Sequence, residues 1–173
     1  MRQVILLTGE PGCGKTTLIR RVLANLSYPA GGFYTQQVRE GGTRKGFEIV
    51  TLDGRRAILA HVNIRGPKRI GKYGVNLTAL DGLAVPALLQ AIHSHKIVIV
   101  DEIGPMELLS ERFRDAVMRM MQSDTTVLGT IVQRSTPFTD QIKAFPGVVL
   151  IQVKPDNRDE LPEQIIKRLT HPI

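Results

Sequence analysis

The residues with the clearest chemical potential lie in Gly9-Glu10-Pro11-Gly12-Cys13-Gly14-Lys15-Thr16, an instance of G-x-x-x-x-G-K-[ST]. Its glycines permit positive φ, so successive amide N–H groups can turn into a concave nest, to which the start of a helix adds partial positive charge. Such a nest receives a polyphosphate. Lys15 then reaches the β/γ-phosphates, and the Thr16 hydroxyl is placed as a ligand of Mg²⁺. The spacing selects Thr16 over its neighbour Thr17, and Cys13 fills a variable position where the backbone matters more than the thiol. A second stretch, Lys96-Ile97-Val98-Ile99-Val100-Asp101-Glu102, is an apolar run with two carboxylates at its carboxyl end. Ligands of open α/β sheets bind at that end of the strands. Asp101 is therefore expected to hold Mg²⁺, directly or through water, and Glu102 to orient and deprotonate an attacking water.

The elements that must position these groups can be read around them. Gln3 to Thr8 is a short apolar run of strand length, and Leu18, Ile19, Val22, Leu23 and Leu26 recur at helical spacing, predicting a helix from Lys15 to about Asn25 or Leu26. Ser27 to Gly32 supplies breaker residues that end it. A β-rich insert, about residues 31–75, follows. Phe33–Arg39 and Phe47–Leu52 read as strands around Glu40-Gly41-Gly42-Thr43, and Asp53-Gly54 as a two-residue turn into Arg56–Ala60. This antiparallel meander suits a substrate cover or an added sheet edge. Arg65 to Tyr73, RGPKRIGKY, reads as a basic loop, either simply solvated or drawing in a triphosphate. Leu80 through Ile92 keeps helical period, with Pro86 predicting a kink or a late start.

Beyond the two carboxylates, Gly104-Pro105-Met106 breaks the chain and Glu107 opens a helix carrying Phe113, Ala116, Val117, Met120 and Met121 on one face. Glu107 stands one short loop after Glu102, either as support for the site or as a helix N-terminal charge. Thr125 to Val132 reads as another buried strand. Thr130 near its end is a candidate sensor of the γ-phosphate, and Arg134 a candidate charge-stabilising arginine in cis. A short helix near Phe138–Phe145, a strand Val148–Val153 and a helix from about Leu161 or Pro162 to Leu169 complete the pattern. Asn157 and Arg158 follow the last strand, as contacts to a purine base or as part of a helix start.

Size and composition bound the rest. At 173 residues, 42% hydrophobic and 23% charged, residues 1–173 are expected to form one globular domain. No segment approaches the ~18 apolar residues of a membrane span, and the N-terminal run is too short for a signal peptide, so a cytoplasmic protein with no membrane partner is expected. One cysteine permits no internal disulfide. His61, His93, His95 and His171 are scattered without metal-ligand spacing. The charge of +7 attracts anions, nucleotides first and nucleic acid in principle. With no Trp and no interleaving of basic and aromatic residues, nucleic-acid binding is not the expected main role. The oligomeric state is not legible in the sequence, with which a monomer is compatible.

With both stretches in view, the chain resembles the small P-loop nucleoside-triphosphatases of the cancer-related and thermophilic type. The resemblance covers almost the whole length: GEPGCGKTTLI, GGFYTQQVREGGTRKGFEIVTLDG, GKYGVNL, VIVDEIGPMEL, LGTIV and NRDELP. It implies a RecA-like, additional-strand P-loop fold of α/β class, with a mainly parallel central sheet flanked by helices and an antiparallel β-insert after the first helix. It also implies Mg²⁺-dependent hydrolysis of ATP, GTP and other nucleoside triphosphates, slow and loose in base choice. It places nucleotide binding on Gly9 to Thr16 and on Val98, Ile99, Val100, Asp101, Glu102, Ile103, Gly104 and Pro105, with Glu102 as the catalytic carboxylate. Pro105 stands where some members carry lysine, so a phosphate-facing lysine is not supplied from there. Two other readings are a kinase whose insert binds a phosphoryl acceptor, and a nucleotide-dependent nucleic-acid-binding module.

Overall fold

The structure is a computed structural model that describes residues 2–94 and 97–171. His95, read above as an ordinary histidine, and Lys96, read as the start of a strand, lie outside the described residues. The elements run β1 (Val4–Thr8), α1 (Lys15–Ala24), β2 (Ala30–Glu40), β3 (Thr43–Thr51), β4 (Arg56–His61), β5 (Arg69–Ile70), β6 (Tyr73–Val75), α2 (Leu77–Ala79), α3 (Val85–Ser94), β7 (Ile97–Ile103), α4 (Glu111–Gln122), β8 (Thr126–Ile131), α5 (Pro137–Lys143), β9 (Val148–Gln152) and α6 (Leu161–Thr170). Among the described residues the strands form one nine-stranded sheet in the order β5-β6-β4-β3-β2-β7-β8-β1-β9.

Four pairings are parallel, β2/β7, β7/β8, β8/β1 and β1/β9. Those of β2/β3, β3/β4, β4/β6 and β6/β5 are antiparallel. The expected α/β class with a parallel core and an antiparallel insert is therefore what the chain adopts. β1, β7 and β8 are buried on both faces, which is why their sequences are nearly unbroken apolar runs. Alternate residues serve opposite layers. Leu6, Val98 and Val100 pack with Leu88 of α3 and Phe113 of α4, whereas Ile5, Leu7, Ile97 and Ile99 pack with Leu18 of α1 and Ile165 of α6.

Several local expectations need correction. Ala30, Gly31 and Gly32 do not terminate a helix in a turn; they begin β2 and pair with Ile97, Val98 and Ile99. Gly32 is required because a Cβ there would run into the Ile99 carbonyl, with the Ile99 carbonyl carbon 3.0 Å away. The RGPKRIGKY segment is not only a loop: Arg69–Ile70 and Tyr73–Val75 form a small hairpin at the sheet edge. Strands this short leave no readable alternation. The β3–β4 connection spans residues 52–55 rather than two residues, closed by the Arg55 N–H donating to Thr51 Oγ1 at 3.0 Å. Glu107 to Leu109 form a separate 3₁₀ turn, and α4 begins after Ser110, whose hydroxyl accepts from the Phe113 N–H at 3.0 Å. The expectation at Pro86 holds: Leu80–Ala84 forms a π-helical turn, and α3 starts at Val85.

Candidate active site

The loop after β1 turns on three glycines at positive φ, Gly9 at 151°, Gly12 at 78° and Gly14 at 97°, and delivers the chain into α1. These values would strain any residue with a Cβ, and the loop they shape lines a cleft. Lys15 folds back over the loop, its Nζ donating to the carbonyl oxygens of Gly9 at 2.9 Å and Glu10 at 3.2 Å.

β7 brings the acids to this loop. The Thr16 hydroxyl donates to Asp101 Oδ2 at 2.8 Å, joining residues 85 positions apart, and the Thr130 hydroxyl at the end of β8 donates to Asp101 Oδ1 at 2.6 Å. The backbone N–H of Thr35 on β2 is a further donor to Asp101. Four segments of the fold thus converge on one carboxylate that is 1% exposed. Burial raises the Asp101 pKa, while Thr130, Thr16, the Thr35 amide and Lys15 oppose that rise.

Glu102 follows within a β-bulge: β7 takes three residue steps from Val100 to Ile103 while β8 takes two from Gly129 to Ile131. Burial, and then the charge of Asp101, raise the Glu102 pKa, against the opposing charge of Lys15. Its side chain folds over Gly104, where an added Cβ would lie 2.6 Å from Glu102 Cγ. Behind it Glu107, 4% exposed, is raised well above the ordinary carboxylate value by burial and by Glu102.

Asp101, Glu102 and the glycine loop face a cleft of about 960 Å³. Glu10, Pro11, Gly12, Gly14, Lys15, Thr16 and Thr17 line it, with Asp101, Glu102 and Arg134. Cys13 turns away to pack with the apolar layer under α1. Val98, Ile99, Val100 and Ile103 are fully buried and form the strand that carries the acids, while Gly104 and Pro105 follow it. Thr130 is also fully buried, its hydroxyl engaged by Asp101. Asn157 spends its amide locally, accepting from the Lys154 N–H and donating to the Gln152 carbonyl, both at 2.8 Å. Arg158 passes beside the loop, its Cδ 3.8 Å from where a Gly14 Cβ would stand.

A model of the family described as NTPase matches residues 4–166. The chain belongs to the THEP1 nucleoside-triphosphatase family. It is 48% identical to the nucleoside-triphosphatase THEP1 of Thermotoga petrophila, over 94% of this chain and 90% of that protein. Among solved structures it is similar to THEP1 from Aquifex aeolicus, with TM-score 0.89 and 39% identity over 96% of this chain and 98% of that one. It is also similar to a human cancer-related nucleoside triphosphatase, with TM-score 0.83 and 36% identity over the whole of both chains.

Within this THEP1 fold, the sequence reading missed the wall of the cleft opposite the glycine loop. Thr35 contributes through its backbone, which carries no residue-type signal. Arg44, Phe47 and Tyr73 reach the cleft from β3 and β6, and only the pairing of the insert strands brings them together. The GGTRKGF and GKYG pieces of the family resemblance were the available signal.

Proposed function

We propose that this chain hydrolyses nucleoside 5′-triphosphates to diphosphate and phosphate with Mg²⁺, accepting ATP, GTP and other bases. The observation that carries the reading is the Thr16 to Asp101 hydrogen bond of 2.8 Å, which unites the glycine loop and the acidic strand end in one site.

The donor set suits Mg²⁺. No group of three or more His, Cys, Asp or Glu forms a metal cage among the described residues. One hydroxyl and one carboxylate are what a hard, hydrated ion needs when phosphate oxygens complete its shell. Thr16 and Asp101 would hold it, and when bound it would neutralise charge on the β- and γ-phosphate oxygens. The loop amides and Lys15 bind the polyphosphate and stabilise the charge that develops during transfer. Glu102 accepts a proton from the attacking water, and its raised pKa makes it a stronger base than an exposed carboxylate. Loose base choice is consistent with the loop after β9, where Asn157 is engaged with its own backbone neighbours.

The test is phosphate release from ATP, GTP, CTP and UTP, with and without a chelator. All four should be hydrolysed with Mg²⁺, chelation should stop turnover, and Lys15→Ala should abolish triphosphate binding or turnover. Metal-independent release, or an active Lys15→Ala, would reject the mechanism. The reach of the cleft to the insert favours one second reading, transfer to an acceptor hydroxyl or phosphate. Stoichiometric phosphate release without any acceptor excludes it.

A further inference from the structure

The wall opposite the glycine loop is built around one arginine. Arg44 Nε donates to Tyr73 Oη at 2.9 Å. Its guanidinium lies over the rings of Phe47, at 5.2 Å, and Tyr73, at 5.9 Å, and the two rings meet edge to face with centroids 5.3 Å apart. Tyr73 is 7% exposed, so this platform is anchored in the packed part of the insert. The hydrogen bond occupies Nε and the rings pack against the guanidinium, and no protein acceptor among the described residues takes its two Nη groups. They are left for a ligand in the cleft that Arg44 lines together with Lys15, Asp101 and Glu102.

Sheet order says which end of a ligand this is. The glycine loop leaves β1, Glu102 stands on β7 two strands away, and β2 and β3 lie beyond β7. Passing along the cleft from the loop across the acids leads to Arg44. The group nearest the arginine is therefore at the Glu102 end of the bound polyphosphate or past it. The charge distribution agrees: residues 30–76 hold nine of the 23 lysines and arginines but three of the 16 acids, so +6 of the formal +7 sits on this part of the chain. Such a field concentrates anions at that end of the cleft.

Resting on the nucleotide reading above, we propose that Arg44 is a second phosphate-binding residue of the site, presenting its paired Nη groups to a phosphoryl group at the insert end of the cleft. Guanidinium matches phosphate in fork geometry, and a side chain already held by a hydroxyl and two rings loses little freedom on binding. The phosphoryl group belongs either to the bound triphosphate, as its terminal phosphate, or to a second molecule seated beside it.

Calorimetry on wild type, Arg44→Ala, Arg44→Lys and Tyr73→Phe distinguishes the two sources. The probes are a non-hydrolysable ATP analogue with Mg²⁺, ADP with Mg²⁺, and inorganic phosphate added to the ADP-loaded protein. If Arg44 holds the terminal phosphate, Arg44→Ala weakens the analogue about tenfold or more and leaves ADP unchanged, the scale of one lost charge-assisted hydrogen bond. If it holds a second molecule, the analogue is unchanged and inorganic phosphate binding to the ADP complex falls by a similar factor. Arg44→Lys, keeping charge without the fork, and Tyr73→Phe, keeping the ring without the hydroxyl, should each lose part of the same affinity, and they carry the test if Arg44→Ala does not fold. Less than a threefold change with both probes overturns the inference. Lys15→Ala separates this failure from a wider one: if it too binds the analogue like wild type, the nucleotide reading itself has failed.

Discussion

The two halves of the sheet are built on opposite principles. β1, β7 and β8 run parallel, covered on both faces by helices, and every residue of β1 is buried. From β3 to β5 the strands run antiparallel and are less completely covered: β3 starts exposed at Thr43 and Arg44 and ends buried at Ile49, Val50 and Thr51, and Ile58 of β4 is left 38% exposed. The acids sit at the carboxyl end of the parallel half, where desolvation raises their pKa values. The surplus positive charge sits on the antiparallel half, where water screens it. A polyphosphate cleft between them joins a dry site that can polarise a water to a wet, basic wall that can admit an anion. β2 belongs to both halves, pairing with β7 through Ala30–Phe33 and with β3 from Phe33 onward.

That seam offers the sharpest test of the division. Gly32 has φ of 107°, and a Cβ would strike the Ile99 backbone, whose atoms cannot give way as a side-chain tip would. Gly32→Ala should destabilise the fold by about 3 kcal/mol or more, combining strained backbone with overpacking. Denaturant unfolding reads this directly. A loss below about 1 kcal/mol would mean that the halves do not depend on this close approach.

The next largest effect belongs to the parallel half. Glu102→Gln should retain triphosphate binding and lose at least ~10²-fold in kcat, the low end for a general base. In the wild type, hydrolysis should rise with pH along a limb lying above the ordinary glutamate value of 4.5, because burial and Asp101 raise the pKa of Glu102. The limb should vanish in the variant. Undiminished turnover would remove Glu102 from the mechanism.

Gly104→Ala acts on the same carboxylate without touching its chemistry. The new methyl would occupy the space of Glu102 Cγ and its carboxyl group, so the side chain must swing aside. Turnover should fall roughly tenfold with nucleotide affinity unchanged, since small misplacements of a reacting group are costly. A fall in affinity equal to the fall in kcat would show that Gly104 shapes the binding surface instead.

The same division explains what could be read in advance. The glycine loop, the strand ending in Asp101 and Glu102, and the buried face of α4 are local signals, each complete within about a dozen residues. The Thr16 to Asp101 contact follows once strand, loop and helix are ordered, because parallel strands place their carboxyl ends together. The antiparallel half resisted reading for physical reasons. Gly31 and Gly32 carry turn propensity, and only the approach of Ile99 shows that they are strand. Arg44 and Tyr73 stand 29 positions apart and meet only through strand pairing. Asn157 could be read as a base contact or a cap, and its two backbone bonds depend on a loop geometry that no spacing encodes.

The smallest effect concerns the price of placing acids in the dry half. Glu107 is buried behind Glu102 with its pKa raised well above 4.5, by burial first and by Glu102 next. Below pH 4.5 the folded and unfolded chains both carry its proton, and the residue exacts no penalty. As pH rises above that value the unfolded chain releases the proton freely while the folded chain holds it, so stability falls until the folded pKa is passed. Glu107→Gln removes this proton linkage. Backbone hydrogen bonds from Glu107 and Gly104 offset part of the burial, so thermal melts should superimpose with wild type near pH 4 and separate at pH 8, the variant being more stable by on the order of 1 kcal/mol, the scale of one imperfectly satisfied buried polar group. An Arg56→Ala control breaks the exposed Arg56–Glu48 pair of the antiparallel half, at 3.5 Å, and should shift neither curve by more than about 0.5 kcal/mol. If Glu107→Gln is instead less stable than wild type at both pH values, the carboxyl group is held by interactions that favour it over an amide, and the dry half accommodates its third acid without strain.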